Sequence, residues 1–464
     1  MPHSNQMSAL SQARAVVRRE FRPTIALALP LALAEIGWMS MGIVDTLMVG
    51  RLPNSAVALG AVSLGCALYY IVAIFANGLL LGLDTLVSHA FGRIDLEDAR
   101  QSLASGIGLA LLLSPFVMAA TLLWPAVMRR VGVQAEIVAA MGPFLRALNW
   151  GTLPLLLSFA LRRYLQAVHI VKPVTFAYIT ANVVNALFNW IFIFGKLGAP
   201  AFGLPGSGWS TCVARIYMAV VLGFAAWRFA RRHPVRGRIS MFAIERARSV
   251  LALGFPAAIQ ILLEIGVFGV VSALIGKMGA VPLAGHQIAI NCASFTYMVP
   301  LGISSAAAVR VGNALGRGDS EAAREAGWMA IALGAGFMAC AGIVLLSIPR
   351  LIARAFTPNP AVISAGATLL VIAAAFQLFD GLQTVATGAL RGAGDTRTPM
   401  IVNLLAYWFI GLPLGWVLGF HFGWGAAGLW IGLCVGLILL GTILLGVWHG
   451  AVKNPKYKLQ GLAC

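Results

Sequence analysis

Long apolar stretches recur along the whole chain, separated by short segments that contain most of the polar residues. Each stretch holds about 20 mostly apolar residues, enough for an α-helix to span the roughly 30 Å hydrocarbon core of a bilayer. A transmembrane β-barrel is excluded, because its strands alternate in polarity and are only about 10 residues long. The pattern therefore predicts an all-α integral membrane protein. Its twelve transmembrane helices are expected near residues 25–50, 57–83, 103–127, 137–160, 174–195, 207–227, 249–276, 284–308, 325–348, 361–389, 400–421 and 426–449.

The second half of the chain repeats the first. Residues 85–100, which begin Thr-Leu-Val-Ser-His-Ala-Phe-Gly-Arg, resemble residues 309–324, which begin Val-Arg-Val-Gly-Asn-Ala-Leu-Gly-Arg, at an offset of 224. At an offset of 226, three pairs of residues match: Pro30 and Pro256, Gly50 and Gly276, and Pro173 and Pro399. A duplication of six helices explains these matches, and an even number of helices in each copy makes the copies parallel repeats.

The duplication predicts two homologous six-helix lobes joined by an arginine-rich linker. The predicted organisation is a tail at 1–24, an N-lobe at 25–227, a linker at 228–248, a C-lobe at 249–449 and a tail at 450–464. Within the linker, residues 239–248 are expected to form a short amphipathic helix at the membrane surface. The glycine in each repeated turn is expected to end a helix, with Asp95 or Asp319 capping the helix that follows.

The basic residues are distributed unevenly between the two sides of the membrane. The chain has 60% apolar and only 10% charged residues, with a formal net charge of +18. If the N-terminus is cytoplasmic, 24 of the 33 Lys and Arg fall in cytoplasmic segments, 7 in outside loops and two, Arg146 and Arg215, within helices. Lysine and arginine accumulate on the cytoplasmic side of membrane proteins, so both termini are predicted to be cytoplasmic. Topology explains the positive charge, and no nucleic-acid partner is expected.

Motifs of enzymes and of ATP-driven pumps are missing from the sequence. It contains no phosphate-binding glycine loop ending in Lys-Ser or Lys-Thr, and no Ser/His/Asp arrangement. The six cysteines show no metal-ligand spacing. The chain is therefore predicted not to be an enzyme, and neither catalytic residues nor an organic cofactor are expected.

Isolated acidic residues inside the predicted helices are the strongest functional signal. Glu264 is the one ionisable residue within 251–275, and Asp380 is the one charged residue within 361–390. A carboxylate near the middle of a bilayer costs roughly 3 kcal/mol on insertion scales, so it rarely persists without a role. The usual roles are ion binding, proton relay and pairing with a substrate. Both acids therefore favour a transporter, and Glu264 and Asp380 are expected to bind a proton, Na⁺ or a cationic substrate.

Polar neighbours accompany both acids. Gln260 precedes Glu264 by one helical turn, and Gln377 and Gln383 flank Asp380 at spacings of three, so each group projects from one helix face. A face turned to lipid would leave these polar groups unsatisfied, so we expect both to line the bundle interior or a water-filled cavity. The alternatives are hydrogen bonds between helices, or neutralisation of the acids by the two arginines that lie within helices.

A third acid lies in the first predicted helix. The fifth predicted helix carries Asn182, Asn185 and Asn189 at spacings of three and four, and we expect this face to lie opposite Asp45. Carboxylate and amide oxygens suit Na⁺ and equally form a hydrogen-bond network that responds to protons. These four residues therefore predict a second ion site. The alternatives are a salt bridge from Asp45 to Arg51 and plain interhelical packing of the asparagines.

Two further acids lie within predicted helices. Glu35 precedes Asp45 by ten residues and lies on a nearly opposite face, so the two are not expected to share a site. Asp84 lies near the cytoplasmic end of the second helix, where a solvated capping role is expected.

At these residues the chain resembles the multidrug and toxic compound extrusion (MATE) family, in its NorM-like bacterial branch. The resemblance covers nearly the whole length. Its motifs are Val44-Asp45-Thr46, Asn185-Ala-Leu-Phe-Asn189-Trp-Ile-Phe-Ile-Phe-Gly-Lys196, Gly254-Phe-Pro256 leading to Glu264, Phe379-Asp380-Gly-Leu-Gln, and Gly388-Ala-Leu-Arg391-Gly-Ala-Gly-Asp395-Thr. The resemblance implies a V-shaped pair of six-helix lobes that exports organic cations by alternating access, in exchange for H⁺ or Na⁺.

The resemblance also implies roles for individual residues. Asp45, Asn185 and Asn189 would form the N-lobe coupling site, and Glu264 and Asp380 the C-lobe site. It implies a multi-pass protein of the bacterial inner membrane that binds cationic amphipathic small molecules and contributes to antibiotic resistance. A monomer is expected. Since the segment following Leu83 is similar to the eukaryotic branch, whose coupling ion is the proton, the choice between H⁺ and Na⁺ stays open.

Two other classes of function compete with an efflux transporter. A lipid-linked oligosaccharide flippase of the same superfamily would need a basic cavity for pyrophosphate, whereas the charges within these helices are mostly acidic. Arg146 and Arg215 are the two residues that could supply such a cavity, and binding of an anionic lipid would favour this class. A membrane receptor or scaffold would show no flux that depends on an ion gradient. The twofold repeat, with prolines at equivalent places, disfavours that class.

Overall fold

The computed structural model describes residues 9–53 and 55–451, and almost all of them are helical, which confirms the all-α prediction. In chain order the helices are α1 (Ala9–Val49), α2 (Ser55–Leu80), α3 (Gly82–Gly92), α4 (Leu96–Arg130), α5 (Ala135–Asn149), α6 (Thr152–Ala167), α7 (Lys172–Phe194), α8 (Leu204–Arg232), α9 (Ile244–Gly276), α10 (Ala280–Gly316), α11 (Ser320–Ser347), α12 (Pro349–Phe356), α13 (Pro360–Gly392), α14 (Arg397–Asn403), α15 (Leu412–Trp416) and α16 (Gly425–Ala451). Two π-helical segments, Leu404–Gly411 and Val417–His421, flank α15. Most of the tail predicted at 450–464 lies outside the described residues.

The number of membrane spans agrees with the hydrophobic pattern. Within the described residues, eleven helical spans are long and apolar enough to cross a membrane. A bent pair, α5 and α6, meets at an angle of 48° and brings the number to twelve if the pair forms one span. Each of the twelve predicted segments overlaps one of these spans.

The first helix begins earlier than its apolar segment. α1 starts at Ala9 and runs for 41 residues, so a large part of the predicted tail is helical. Hydrophobicity marks only the part of a helix that meets lipid or the protein interior, and a polar extension carries no such signal. The surface helix predicted at 239–248 is wrong, because residues 239–243 are not helical and α9 begins at Ile244.

The contacts divide the chain into two compact units. Unit 1 comprises the described residues up to Ala32, Gly269–Gly394 and the described residues from Leu405 onward. Unit 2 comprises Leu33–Phe268 and Asp395–Leu404. The division therefore falls inside α1 and inside α9 rather than in the linker. The lobes at 25–227 and 249–449 follow the duplication instead, and they stay a prediction.

Close helix crossings explain why each unit takes part of α1 or α9. In unit 1, a Cβ added to Gly302 of α10 would clash with the backbone of Ala32 in α1. In unit 2, a Cβ added to Gly78 of α2 would clash in the same way with Ala258 of α9. The two crossings are related by the repeat, at offsets of 224 and 226. Small residues let membrane helices approach closely. Both copies of the repeat therefore contain the same close glycine–alanine crossing.

The repeated turns also fold alike. Asp95 and Asp319 are the N-caps of α4 and α11, and each carboxylate accepts the backbone N–H three residues later at 2.9 Å. Their own N–H groups donate to carbonyls five residues earlier, at 2.9 and 3.0 Å, as in a Schellman motif. The capping prediction is confirmed. The preceding residue is left-handed in both turns, with φ of 62° at Ile94 and 76° at Gly318.

Candidate functional site

The carboxylate of Asp45 lies at the centre of a buried polar cluster in unit 2. It is only 9% exposed, and the Asn185 and Asn189 side chains on α7 are fully buried beside it. Their Nδ2 atoms donate to Asp45 Oδ1 at 3.0 and 2.7 Å, respectively. The i, i+4 spacing puts both amides on one face of α7, so a single carboxylate can accept from both. The structure therefore brings together three of the four residues predicted for this site.

A threonine on α8 completes the cluster and was not among the predicted site residues. The Thr211 hydroxyl donates to Asp45 Oδ2 at 3.0 Å, and its side chain is buried. The two residues are 166 positions apart, and no spacing rule connects them. A threonine in an apolar helix is common, since its hydroxyl usually bonds to a carbonyl of its own helix, as Thr211 also does with Ser207. Only the tertiary structure identifies it.

Asn182 belongs to a different contact. Its Nδ2 donates to the carbonyls of Gly37 and Tyr178, at 2.8 and 2.9 Å. It therefore supports the crossing of α1 and α7, as the packing alternative predicts. The other alternative, a salt bridge from Asp45 to Arg51, is not supported, because no ion pair of the described residues joins the two.

The chemistry of this cluster suits a small monovalent cation or a proton. Three neutral donors hold the Asp45 carboxylate, which is the hydrogen-bonding pattern of an ionised acid. Among the described residues, the buried Oδ1 atom of Asn189 has no hydrogen-bond partner, so the amide that donates to Asp45 also carries an unused hard oxygen ligand. The side chains gathered here offer carboxylate, amide and hydroxyl oxygens, which are hard ligands.

The second predicted acid, Asp380, lies on α13 in unit 1. It is 8% exposed, and the Nε2 atom of Gln383 donates to its Oδ1 at 3.2 Å. Gln383 also donates to the hydroxyl of Thr384 at 3.0 Å. Gln377 bonds elsewhere, because its Nε2 donates to the Thr296 hydroxyl on α10 at 2.6 Å. The polar stripe on α13 therefore faces protein, as predicted, with Gln383 rather than Gln377 beside the acid.

Glu264 and Gln260 lie on α9, in the part of this helix that belongs to unit 2. Gln260 is buried at 6% exposure, whereas Glu264 is partly exposed. The division of contacts assigns Glu264 and Asp380 to different units. Their joint role as a C-lobe coupling site, or as a Na⁺ site, stays a prediction.

Glu35 and Asp84 form buried ion pairs, which corrects the solvated capping role expected for Asp84. Arg162 contacts the Glu35 carboxylate, and Arg163 Nη1 lies 3.3 Å from Asp84 Oδ2. All four side chains are at most 8% exposed. The two arginines are adjacent on α6, which extends past its predicted end, so a segment expected to be a cytoplasmic loop carries charge into the protein interior. The cost of burying these four charges is reduced because each arginine forms an ion pair with an acid.

Comparison with known proteins agrees with this fold. The MatE family model matches residues 30–191 and 256–417, two copies at an offset of 226. A probable multidrug resistance protein NorM of Mesorhizobium japonicum is 38% identical over 93% of this chain and 94% of its own length. The multidrug resistance protein NorM of Burkholderia vietnamiensis is 35% identical over 97% of this chain and 98% of its own.

A solved structure, that of the eukaryotic MATE transporter AtDTX14, superposes with a TM-score of 0.87. It covers 96% of this chain and all of its own, at 22% sequence identity, and this likeness concerns the fold. The family model counts two copies at the offset that the prolines and glycines indicate, so it also confirms the duplication. The chain belongs to the multidrug and toxic compound extrusion (MATE) family of transporters, and within it to the NorM-like branch.

Proposed function

We propose that the chain is a secondary multidrug efflux transporter that exports cationic, partly apolar small molecules in exchange for H⁺ or Na⁺, by alternating access. The observation that carries this proposal is the Asp45 carboxylate, buried within a membrane-spanning helix and held by the neutral side chains of Asn185, Asn189 and Thr211. Acids at such depth usually serve ion or proton pathways. The names of the NorM relatives support the multidrug part of the proposal.

Coupling would follow from competition for a negative charge. A proton or Na⁺ at Asp45 neutralises a carboxylate that otherwise attracts cations, and its departure restores that attraction. A ligand shifts a conformational equilibrium only by its difference in affinity for the two states. Alternating access therefore requires that the cluster bind its cation more tightly in one facing state than in the other.

The test is efflux of a fluorescent organic cation from proteoliposomes with an imposed pH gradient or, separately, an imposed Na⁺ gradient. We expect Asp45→Asn to lower gradient-driven efflux by about tenfold or more, since a hydrogen bond to a charged group contributes roughly 1.5–3 kcal/mol. Glu136→Gln is the matched control, because it also removes one acid but at an exposed position on α5. Wild-type rates in Asp45→Asn under both gradients would refute coupling at this cluster.

The same assay tests the acids of the second half. The double variant Glu264→Gln and Asp380→Asn is expected to lose gradient-driven efflux, and wild-type rates would exclude a C-lobe coupling role. Comparing Na⁺-free vesicles with pH-clamped vesicles identifies the coupling ion. The flippase alternative is not favoured by the NorM relatives.

Four further expectations belong to this proposal. They are a monomeric state, location in the bacterial inner membrane, cytoplasmic termini and a contribution to antibiotic resistance. Expression in a drug-sensitive bacterium, with growth measured against a panel of cationic drugs, tests the last of these and defines the substrate range.

A further inference from the structure

Arg215 is a fully buried cation in unit 2, and within the part of the chain that the structure describes it forms no ion pair with a carboxylate. Its guanidinium lies over the ring of Tyr69, 4.8 Å from the centroid, and its Nη1 donates to the Tyr69 hydroxyl at 2.8 Å. Among the described residues, its buried Nε and Nη2 atoms have no partner within ordinary hydrogen-bond geometry, although the Tyr70 side chain also interacts with the guanidinium. A buried charge of this kind is costly unless an opposite charge compensates it.

The compensating charge is present in the cluster already described. Arg215 follows Thr211 by one turn of α8, and Thr211 donates to Asp45. Among the described residues, the titratable groups that interact electrostatically with Arg215 include Asp45 on α1, Cys66, Tyr69 and Tyr70 on α2, and Cys212 on α8. Asp45 is the carboxylate in this set. It lies within electrostatic range of Arg215, yet among the described residues the two form no direct ion pair.

We propose that Arg215 is the fixed counter-ion of Asp45, so that the cluster is electrically neutral before a cation binds and Arg215 thereby sets the affinity for the coupling cation. The coupling cation itself rests on the proposed function. The arrangement differs from the Glu35–Arg162 pair, in which the arginine contacts the acid directly. Arg215 binds Tyr69, so it balances the charge of Asp45 through space without contacting it. The Asp45 carboxylate oxygens therefore accept hydrogen bonds from neutral side chains only.

The consequence is a cation site that releases its ion readily. When a monovalent cation reaches Asp45, the cluster becomes positive, because the charge of Arg215 is no longer balanced. The repulsion weakens binding relative to an acid without a counter-ion. Removing the positive charge at position 215 should therefore tighten cation binding at Asp45.

The experiment uses thermal unfolding of the purified full-length chain in detergent, measured across Na⁺ concentrations and, separately, across pH. Relative to wild type, Arg215→Gln should reach half of its stabilisation at about tenfold lower Na⁺, or at a pH about one unit higher, as expected for loss of one nearby charge. Arg215→Lys, which keeps the charge, should behave as wild type. The double variant Asp45→Asn and Arg215→Gln should lose the dependence. Equal midpoints in Arg215→Gln and wild type would overturn the proposal.

The stability of Arg215→Gln itself provides a second test. If Arg215→Gln is too unstable to purify, the double variant with Asp45→Asn should recover the yield, because no unpaired acid is left behind. A double variant as unstable as Arg215→Gln would overturn the proposal. Flux in proteoliposomes is measured on the same preparations, so failure of the proposed efflux function is seen separately from failure of the counter-ion role.

Discussion

Buried arginines of unit 2 show two ways of placing a charge inside a membrane protein. Arg162 and Arg163 contact the acids Glu35 and Asp84 directly, and both pairs are withdrawn from solvent. Arg162 and Arg215 both lie over a tyrosine ring, at 4.9 and 4.8 Å from the centroid, but Arg215 forms no direct ion pair among the described residues. The Asp45 carboxylate is held by neutral donors instead. A direct pair holds its acid in one state. An acid held by amides and a hydroxyl has neutral partners instead, which supports the exchange of a proton or an ion that we propose.

This contrast predicts that Glu35 stabilises the fold and has no role in coupling. Glu35→Gln leaves Arg162 buried without its partner, which typically costs about 3–5 kcal/mol. We therefore expect a lower melting temperature and reduced yield in detergent. The double variant Glu35→Met and Arg162→Met should recover most of the loss, because two apolar side chains replace a buried pair at little cost. A melting temperature of Glu35→Gln equal to that of wild type would contradict the pairing.

At the scale of elements, the repeated turns before α4 and α11 differ in the residue that takes the left-handed conformation. Both place a left-handed residue immediately before the capping aspartate, but one turn uses Ile94 where the other uses Gly318. A left-handed conformation costs an L-residue roughly 1–2 kcal/mol, and β-branched side chains are especially disfavoured there. Ile94 is 84% exposed, so it gains little from burial within the protein.

Ile94→Gly is therefore expected to stabilise the chain by about 1 kcal/mol. The reverse change at the equivalent position, Gly318→Ile, should destabilise it by a similar amount. Thermal unfolding in detergent measures both variants under the same conditions. A fall in melting temperature for Ile94→Gly would show that the side chain has a contact that outweighs the backbone strain.

At the scale of the whole molecule, the charge asymmetry predicts which ends of the helices face the cytoplasm. The linker between α8 and α9 should be inside and the loop between α7 and α8 outside. In a background with the six native cysteines replaced by alanine, Ala201→Cys should react in intact cells with a membrane-impermeant maleimide. Arg238→Cys should react only after the cells are permeabilised. Both positions are exposed in the structure, so the two variants are matched in accessibility within the protein. The opposite labelling pattern would reverse the topology.

The hydrophobic pattern determined much of the architecture, because each membrane helix satisfies its backbone internally and must meet the length of the bilayer. Twelve apolar segments, the duplication and the two turn caps therefore followed from local signals. The i, i+4 pair Asn185 and Asn189 also followed, since the spacing itself defines a helix face. Bends and helix extensions could not be predicted from local signals. The polar start of α1 and the break between α5 and α6 do not change the hydrophobic pattern.

The sequence by itself determined that this is a helical membrane transporter with acids placed where only function or pairing can retain them. The tertiary structure decided which acids pair with arginines and which are held by neutral side chains. Glu35 and Asp84 meet arginines that are 127 and 79 residues away, and Asp45 meets amides and a hydroxyl 140 to 166 residues away. The physical reason is that a buried charge is governed by its contacts, and contacts between helices distant in the chain arise only from packing.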